Sequence, residues 1–540
     1  MLAQALSFER DKLPSLGTLV LGFATIWVFG TIVYRLYLHP LSHLPGPFLA
    51  KVTDFYGAYH AWTQKNHYHM YNLHKKYGHV IRYGPNKVSF DTAVAIKEIY
   101  STTKPLKKSA GYRALILAGN EYNVLTSIDK TVHGKKRRIL GQGFSDQAIR
   151  SYEPIVLERV ERFCESLTKE AGSDGWGVVK NMSRLCAALT FDVMGALVFG
   201  QPFHILEDES GFSYIIDAIL AASKSVGVFH HLMVIGKNEF LFKIRGAFRL
   251  LFIKLKDIKS IKSFLELSAK MTKQRAALET AKASGEDITS VRGTPKRDIL
   301  GYILNAQDPE TGERMSPGEV WSEARLLIIA GSDTTSTSLS GALYYLARNP
   351  EMYTKLRGEI RSTFASQEEV IPGQRLSKCQ YLKFVVEEAL RMAAPVGGIL
   401  WRETTTDYII EGVKLPKGTD VGAPIYAVHH NSDNFTNPHV FNPDRWDESI
   451  VGQESVSLAK SAWFPFQLGS RGCIGRPLAM MELTLTLARI AYDFELKFDE
   501  RKGSLGQTTI VDGNLEFETI DQLTAETDGP YLRFKRSEKV

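Results

Sequence analysis

The chain has 540 residues, 44% hydrophobic and 11% aromatic, with no internal repeat, low-complexity tract or long Pro/Gly/Ser linker, so one large globular domain is expected. Its four cysteines (Cys164, Cys186, Cys379 and Cys473) form no CxxC pair, which excludes a zinc-finger or disulfide framework and fits a reducing compartment. The net charge of +7 is modest and no basic stripe interleaved with aromatics stands out, so nucleic acid is not an expected partner; an anionic membrane or an acidic protein is.

Residues 1–12 form a short N-terminal segment ending in Glu9-Arg10-Asp11-Lys12, and from Leu13 to Tyr34 there are 22 residues without a charged side chain. About 20 such residues span a bilayer, so residues 13–35 read as a single transmembrane helix. The other reading is a cleaved signal peptide, against which stand the length of the stretch and the lack of an Ala-x-Ala site. Arg10 and Lys12 on one side nearly balance Arg35 and Lys51 on the other, so charge barely orients the helix. Pro40, Pro45 and Pro47 then stop helix propagation and stiffen a hinge over residues 36–50, leaving 51–540 as the folded domain.

Within that domain Val80–Tyr83 alternates as a strand, and His133-Gly-Lys-Lys-Arg137-Arg is a basic run. Tyr152–Leu167 has helical spacing. From Phe229 to Leu255 aromatic and basic residues mix in a pattern that suits a helix lying on a bilayer, or equally an amphipathic core helix. Ser284–Arg297 reads as a surface loop. The apolar helix Leu326–Leu346 is interrupted by Ala330-Gly-Ser-Asp333-Thr334-Thr, where polar residues would normally cost stability. Gly331 removes bulk and Thr334 can bond back to a helix carbonyl, so this run can open a groove in the helix. Leu376–Met392 is a further helix, carrying Glu388 and Arg391 three apart, and Thr406–Glu411 is a short strand. Helices dominate and the sheets are small, which gives a mainly α fold class.

Phe466-Gln-Leu-Gly469-Ser-Arg471-Gly-Cys473-Ile-Gly475 places one cysteine in a Gly-rich loop before an apparently helical segment. A free cysteine is most often a small buried hydrophobe. Here Gly469 would permit a tight turn and Gly475 a close approach of the next helix, while bared amides could tune a thiolate sulfur. This run matches the signature Phe-x-x-Gly-x-Arg-x-Cys-x-Gly at every fixed position, and the chain resembles the cytochrome P-450 superfamily of fungal microsomal type from Pro40 to Arg533.

The resemblance implies the cytochrome P-450 fold and haem b, with Cys473 as axial iron ligand in a loop that also includes Phe466, Gly469, Arg471 and Gly475. Thr334 would support activated oxygen and Asp333 would relay protons. Glu388 and Arg391, with Arg445 of Pro443-Asp-Arg445-Trp, would form a buried network that holds the scaffold. Arg471, His133, Arg137 and Arg402 would meet the haem propionates, with histidine standing where the family has tryptophan. Lys135, Lys136 and Arg138 read either as a solvated helix face or as a contact for an acidic reductase.

No flavin or nicotinamide site is evident, so the resemblance implies electrons from an NADPH-cytochrome P-450 reductase, with O2 as co-substrate. It also implies a single-pass protein of the endoplasmic reticulum membrane with a cytosolic catalytic domain, where the sequons at Asn181 and Asn434 stay unglycosylated. Leu326–Ala330 and Pro395–Leu400 are the expected substrate contacts, with Gly397 and Gly398 leaving open volume and nothing charged to grip an anion. A hydroxylation or epoxidation of a bulky apolar molecule in fungal secondary metabolism is the expected reaction. The rivals are an isomerase or dehydratase on the same fold, a xenobiotic or aromatic-acid hydroxylase, and a haem-binding sensor without turnover.

Overall fold

A computed structural model describes residues 16–101, 106–116, 121–207, 211, 214–250, 255–284, 298–499 and 508–538, without the side chains of 233, 234, 245–250, 255 and 256. In chain order the elements that matter for the site begin with α1 (Leu16–Val33), α2 (Asn66–Tyr77), β1 (Val80–Gly84), β2 (Lys87–Phe90), β3 (Lys107–Lys108), α3 (Lys130–Gln142), α4 (Asp146–Leu167), α5 (Met182–Phe199) and α6 (Tyr214–His231). They continue with α7 (Pro317–Arg348), α8 (Gln380–Met392), β4 (Arg402–Glu403), β5 (Asp420–Gly422), α9 (Ile425–His429) and α10 (Arg476–Asp493). Two hairpins close the series, β6 (Thr508–Val511) with β7 (Asn514–Phe517) and β8 (Ile520–Gln522) with β9 (Thr524–Glu526).

The described residues are mainly helical with small sheets, as expected. The largest core cluster gathers apolar residues of α4, α5, α7, α8 and α10. Helix α7 starts earlier than its apolar pattern suggests, because Ser316 and Glu319 form a capping box and Pro317 fits the first turn. It packs on α5 so closely that a Cβ on Gly331 would sit 2.6 Å from Met194 Sδ. Thr190 Oγ1 donates to Ser332 O at 2.9 Å across the same contact. Gly331 therefore serves helix packing, which corrects the expectation that its missing side chain opens a groove. Most hydroxyls of the run are absorbed locally: Ser336 and Thr337 donate to Asp333 O, and Ser338 to Thr334 O.

The five-stranded sheet has the order β1-β2-β5-β4-β3. Its registers pair Val88 with Val421, Val421 with Arg402, and Arg402 with Lys108, which brings Lys108 beside a residue 294 positions later (402 minus 108).

Helix α1 buries no residue, and with the π-turn Tyr34–Leu38 it makes a 23-residue stretch long and apolar enough to cross a membrane. Leu13 to Ser15 of the expected span lie outside the described residues. The Pro-rich hinge is docked rather than loose: Leu41 and Leu44 are buried, Arg82 N donates to Pro45 O at 2.7 Å, and a Cβ on Gly46 would strike Arg82 O. The expected surface helix over Phe229–Leu255 breaks into the end of α6 and two shorter helices, Met233–Lys237 and Glu239–Leu250. Phe229 and Phe242 are buried while Phe240 is exposed; Arg245, Phe248, Arg249, Phe252 and Lys254 lie outside the described side chains. Of the loop expected over Ser284–Arg297, residues 285–297 also lie outside. The helix expected over Leu376–Met392 splits at Lys378-Cys379, with Gln374–Ser377 as a separate turn.

Candidate active site

The loop that carries Cys473 is built by two backbone constraints. Gly469 has φ of +69° and a Cβ there would lie 2.3 Å from Tyr100 O, so both conformation and space require glycine. Cys473 N donates to Phe466 O at 2.8 Å, closing the loop, and the Arg476 guanidinium lies over the Phe466 ring at 5.6 Å. Helix α10 begins three residues after the cysteine with Pro477 in its first turn, so its N-terminal dipole favours negative charge on the sulfur.

Cys473 is exposed, whereas the other three cysteines are buried. Its thiol is nevertheless desolvated: burial pushes its pKa up, while the Gly475 and Arg476 amides and the Arg137 guanidinium pull it down. Accessible surface and desolvation coexist when a side chain faces an internal void rather than bulk solvent. A Cβ on Gly475 would meet only Cys473 Sγ and Phe144, both at 3.9 Å, so the protein does not itself fill the space that this glycine leaves open.

Along α7, Leu326, Ala330 and Thr334 share one face at four-residue spacing and are at least partly accessible amid buried neighbours. Thr334 Oγ1 donates to Ala330 O at 2.7 Å, as its helix position predicts. Asp333 points elsewhere. It lines a separate cavity of about 270 Å³ with Glu526, Thr527 and Asp528. Burial raises its pKa to about 6, with a hydrogen bond from Thr524 opposing and Glu526 reinforcing the rise, and its Oδ2 has no partner.

Lys108, His133, Arg137, Arg402 and Arg471 are close enough to perturb one another electrostatically. Their hydrogen-bond acceptors are carbonyls and one phenol: Lys108 Nζ donates to Val124 O and Leu125 O, Arg137 Nη1 to Gly472 O, Arg402 Nη1 to Leu400 O, Trp401 O and Tyr112 Oη, and Arg471 to Ser127 O and Ile128 O. None of the four cations forms an ion pair among the described residues. Burial, followed by Lys108 and the three arginines, drives the His133 pKa down to about 2, so the ring is neutral. Burial likewise holds the Lys108 ammonium well below its usual range, and Arg471 falls to about 10. Such a set is organised to receive an anion.

Behind the loop, Glu388 is fully buried and accepts from Arg391 Nε and Nη2 at 2.9 and 2.8 Å and from Arg445 Nε at 2.9 Å. Asn442 N and Trp446 Nε1 complete its shell at 2.9 and 3.1 Å. Trp446 and Lys108 are the contributors that sequence reasoning missed.

Residues 45–510 match the family model described as Cytochrome P450. The chain belongs to the cytochrome P450 family. It is 36% identical to cytochrome P450 monooxygenase atnE of Emericella nidulans, over 96% of each chain. It is 34% identical to cytochrome P450 monooxygenase apf7 of Gibberella fujikuroi (95% of this chain, 98% of that protein) and 35% identical to poxM of Penicillium oxalicum (96% and 94%). The P450 is thus a monooxygenase, an oxidoreductase that uses thiolate-ligated haem, O2, a small-molecule substrate and a redox partner.

The residues present fit haem. An accessible sulfur at a helix N-terminus offers the ligand, and four cations without a carboxylate of their own match two propionates. His133 fits as a neutral N–H donor, as the tryptophan it replaces would be, rather than as a cation.

Three expectations change. Lys135 pairs with Glu313, buried Lys136 with Glu319 and Glu323, and Arg138 with Asp308, so Lys136 is withdrawn from the surface while Lys135 and Arg138 stay ion-paired and partly exposed. Gly397 and Gly398 do not leave a large space: a Cβ on Gly397 would meet His67 Cβ at 3.1 Å, and Gly398 faces a cavity of about 20 Å³. Charged and polar groups line that cavity too, namely Asp521, His230 and His231. At the sequons, Asn181 is partly exposed and its Nδ2 donates to Asp528, while Asn434 is buried.

Proposed function

We propose that this P450 inserts one oxygen atom from O2 into a bulky, mainly apolar metabolite, as a hydroxylation or epoxidation in fungal secondary metabolism, with electrons from an NADPH-cytochrome P450 reductase. Cys473 holds the iron, and the bound haem supplies reductive activation of dioxygen. The carrying observation is the accessible Cys473 thiol at the start of α10, accompanied by a cation set with no carboxylate of its own. Lys108, Arg137, Arg402 and Arg471 bind and orient the propionates, with His133 donating a neutral hydrogen bond.

Thr334, poised on the Ala330 carbonyl, turns its hydroxyl toward the oxygen site and holds a proton there. Asp333, its pKa raised to about 6 by burial, takes up protons from the neighbouring cavity, and rotation of its carboxyl toward the Thr334 face would deliver them. The exposed apolar surface of α1 supports a single-pass anchor in the endoplasmic reticulum membrane, over residues 13–35, with residues 51–540 cytosolic. Ala330 and Leu326 form an uncharged wall for the substrate.

Two measurements test this reading. A source strain carrying Cys473→Ser should accumulate a compound that lacks oxygen relative to the lost product, and the purified variant should lose the thiolate-type reduced carbon-monoxide spectrum; an unchanged spectrum would remove Cys473 from the iron. Thr334→Ala should keep the spectrum and consume NADPH while product per NADPH falls at least about tenfold, within the range typical of lost proton transfer. Undiminished coupling would refute the proton role of Thr334.

A further inference from the structure

Outside the haem site, three side chains from distant parts of the chain converge beside the β6–β7 hairpin: His430 just past α9, His439 before Pro443, and Glu516 in β7. They are 1%, 9% and 1% exposed. One ligand atom of each lies within 4.8 Å of the other two. His439 Nδ1 is 2.6 Å from Glu516 Oε1, and His430 Nε2 is 3.6 Å from the same oxygen.

The opposite atom of each side chain is held from outside. His430 Nδ1 bonds Tyr426 O at 2.9 Å, and the Tyr426 ring stacks on His430 at 3.9 Å. His439 Nε2 lies 2.8 Å from Tyr71 Oη and 3.4 Å from Asp512 Oδ2. Glu516 Oε2 accepts from Tyr426 Oη at 2.7 Å.

These partners fix the protons. A carbonyl only accepts, so the His430 proton is on Nδ1 and Nε2 presents a lone pair. Tyr71 donates to Asp512 Oδ2 at 2.6 Å, so its oxygen is free to accept from His439 Nε2–H. His439 Nδ1 then also faces inward, toward the carboxylate. The His439–Glu516 contact leaves His430 Nε2 a buried acceptor with no partner. A single divalent cation satisfies all three atoms at once.

We propose that His430, His439 and Glu516 bind a zinc ion, with a water in the fourth tetrahedral position. Two imidazoles and one carboxylate suit zinc; magnesium and calcium call for more oxygen ligands, and copper(I) for sulfur. The carbonyl behind His430, and behind His439 the Tyr71 hydroxyl that is itself bonded to Asp512, are outer partners of the kind that hold metal-bound histidines. On binding, the proton held between His439 Nδ1 and Glu516 leaves to solvent as the Zn–N bond forms, and the short His439–Glu516 contact opens to about 3.3 Å, the ligand spacing set by bonds of about 2.0 Å in tetrahedral geometry. The ion would tie the hairpin to the end of α9 and to the segment that carries His439.

The test uses the full-length holoenzyme, produced with added zinc chloride, freed of its affinity tag and purified without chelator. Plasma mass spectrometry, with haem iron as the internal count, should give one zinc per iron, and absorption at the zinc edge should show imidazole and oxygen ligands without sulfur. Dipicolinate should lower the melting temperature of the parent and zinc chloride should restore it, a readout that needs no variant. His430→Gln should lose the zinc while keeping the reduced carbon-monoxide spectrum. Trace zinc in the parent with a melting temperature indifferent to zinc, or stoichiometric zinc that survives both His430→Gln and Glu516→Gln, overturns the proposal.

Discussion

Two buried charge clusters flank the Cys473 loop, and they are satisfied in opposite ways. Around Glu388, one carboxylate takes four donor groups besides Arg391 Nη2, and the spare guanidinium nitrogens end on the carbonyls of His429, Pro438, Thr436 and Val440. Around Lys108, Arg137, Arg402 and Arg471 no carboxylate is in ion-pair range, and the cations lower one another's pKa. Burying charge is expensive unless it is paired. A cluster that is closed within the chain holds the scaffold; a cluster left open in charge but fixed in position would receive charge brought by the haem, as proposed above.

The comparison breaks most readily at Glu388. Glu388→Gln strands two buried guanidinium groups, and the expected loss is about 3 to 5 kcal/mol. Little haem-loaded protein should survive, as read from the reduced carbon-monoxide difference spectrum per unit of soluble chain. A normal yield and melting temperature would mean that the two clusters do not differ in kind.

The open cluster should behave in reverse. Lys108→Met and Arg402→Gln each remove a repulsive charge from the haem-free chain, so its stability should hold or rise. The holoprotein should lose haem to an acceptor globin at least about tenfold faster, since a charge-assisted hydrogen bond contributes roughly 1.5 to 3 kcal/mol. If either variant instead destabilises the haem-free chain as Glu388→Gln does, the cations are structural.

How far the sequence reveals these clusters depends on chain separation. Cys473, Gly469 and Arg471 lie within one short loop, and Glu388 and Arg391 within one helical turn, so spacing identifies them. Thr334 is legible as well, because its bond to Ala330 O is local. Lys108 is not: it sits in a two-residue strand, and only the β3–β4–β5 register brings it to Arg402. Gly331 misleads for the same reason, since Met194, which fills its space, comes from another helix. Trp446 stands next to Arg445 in the chain, yet only the turn geometry shows its indole aimed at Glu388. Local constraints write themselves into spacing; cross-chain ones become visible when the elements pack.

A third buried group sharpens the contrast at the smallest scale. Glu482 in α10 has neither a cation nor a hydrogen bond at Oε2, and the Thr486 hydroxyl one turn on is also unpartnered. Burial alone raises its pKa to about 8. The folded chain therefore keeps this proton after the unfolded chain has lost its own near pH 4.5. Stability is unaffected below that value, falls as pH rises from about 4.5 to 8, and is level above. Glu482→Gln removes the titration, so the variant should match its parent near pH 5 and exceed it by a few degrees, on the order of 2 °C in melting temperature, near pH 8. A gap that stays constant with pH would mean that Glu482 is ionised in the fold and has a compensating partner, which would place it with Glu388 rather than apart from both clusters.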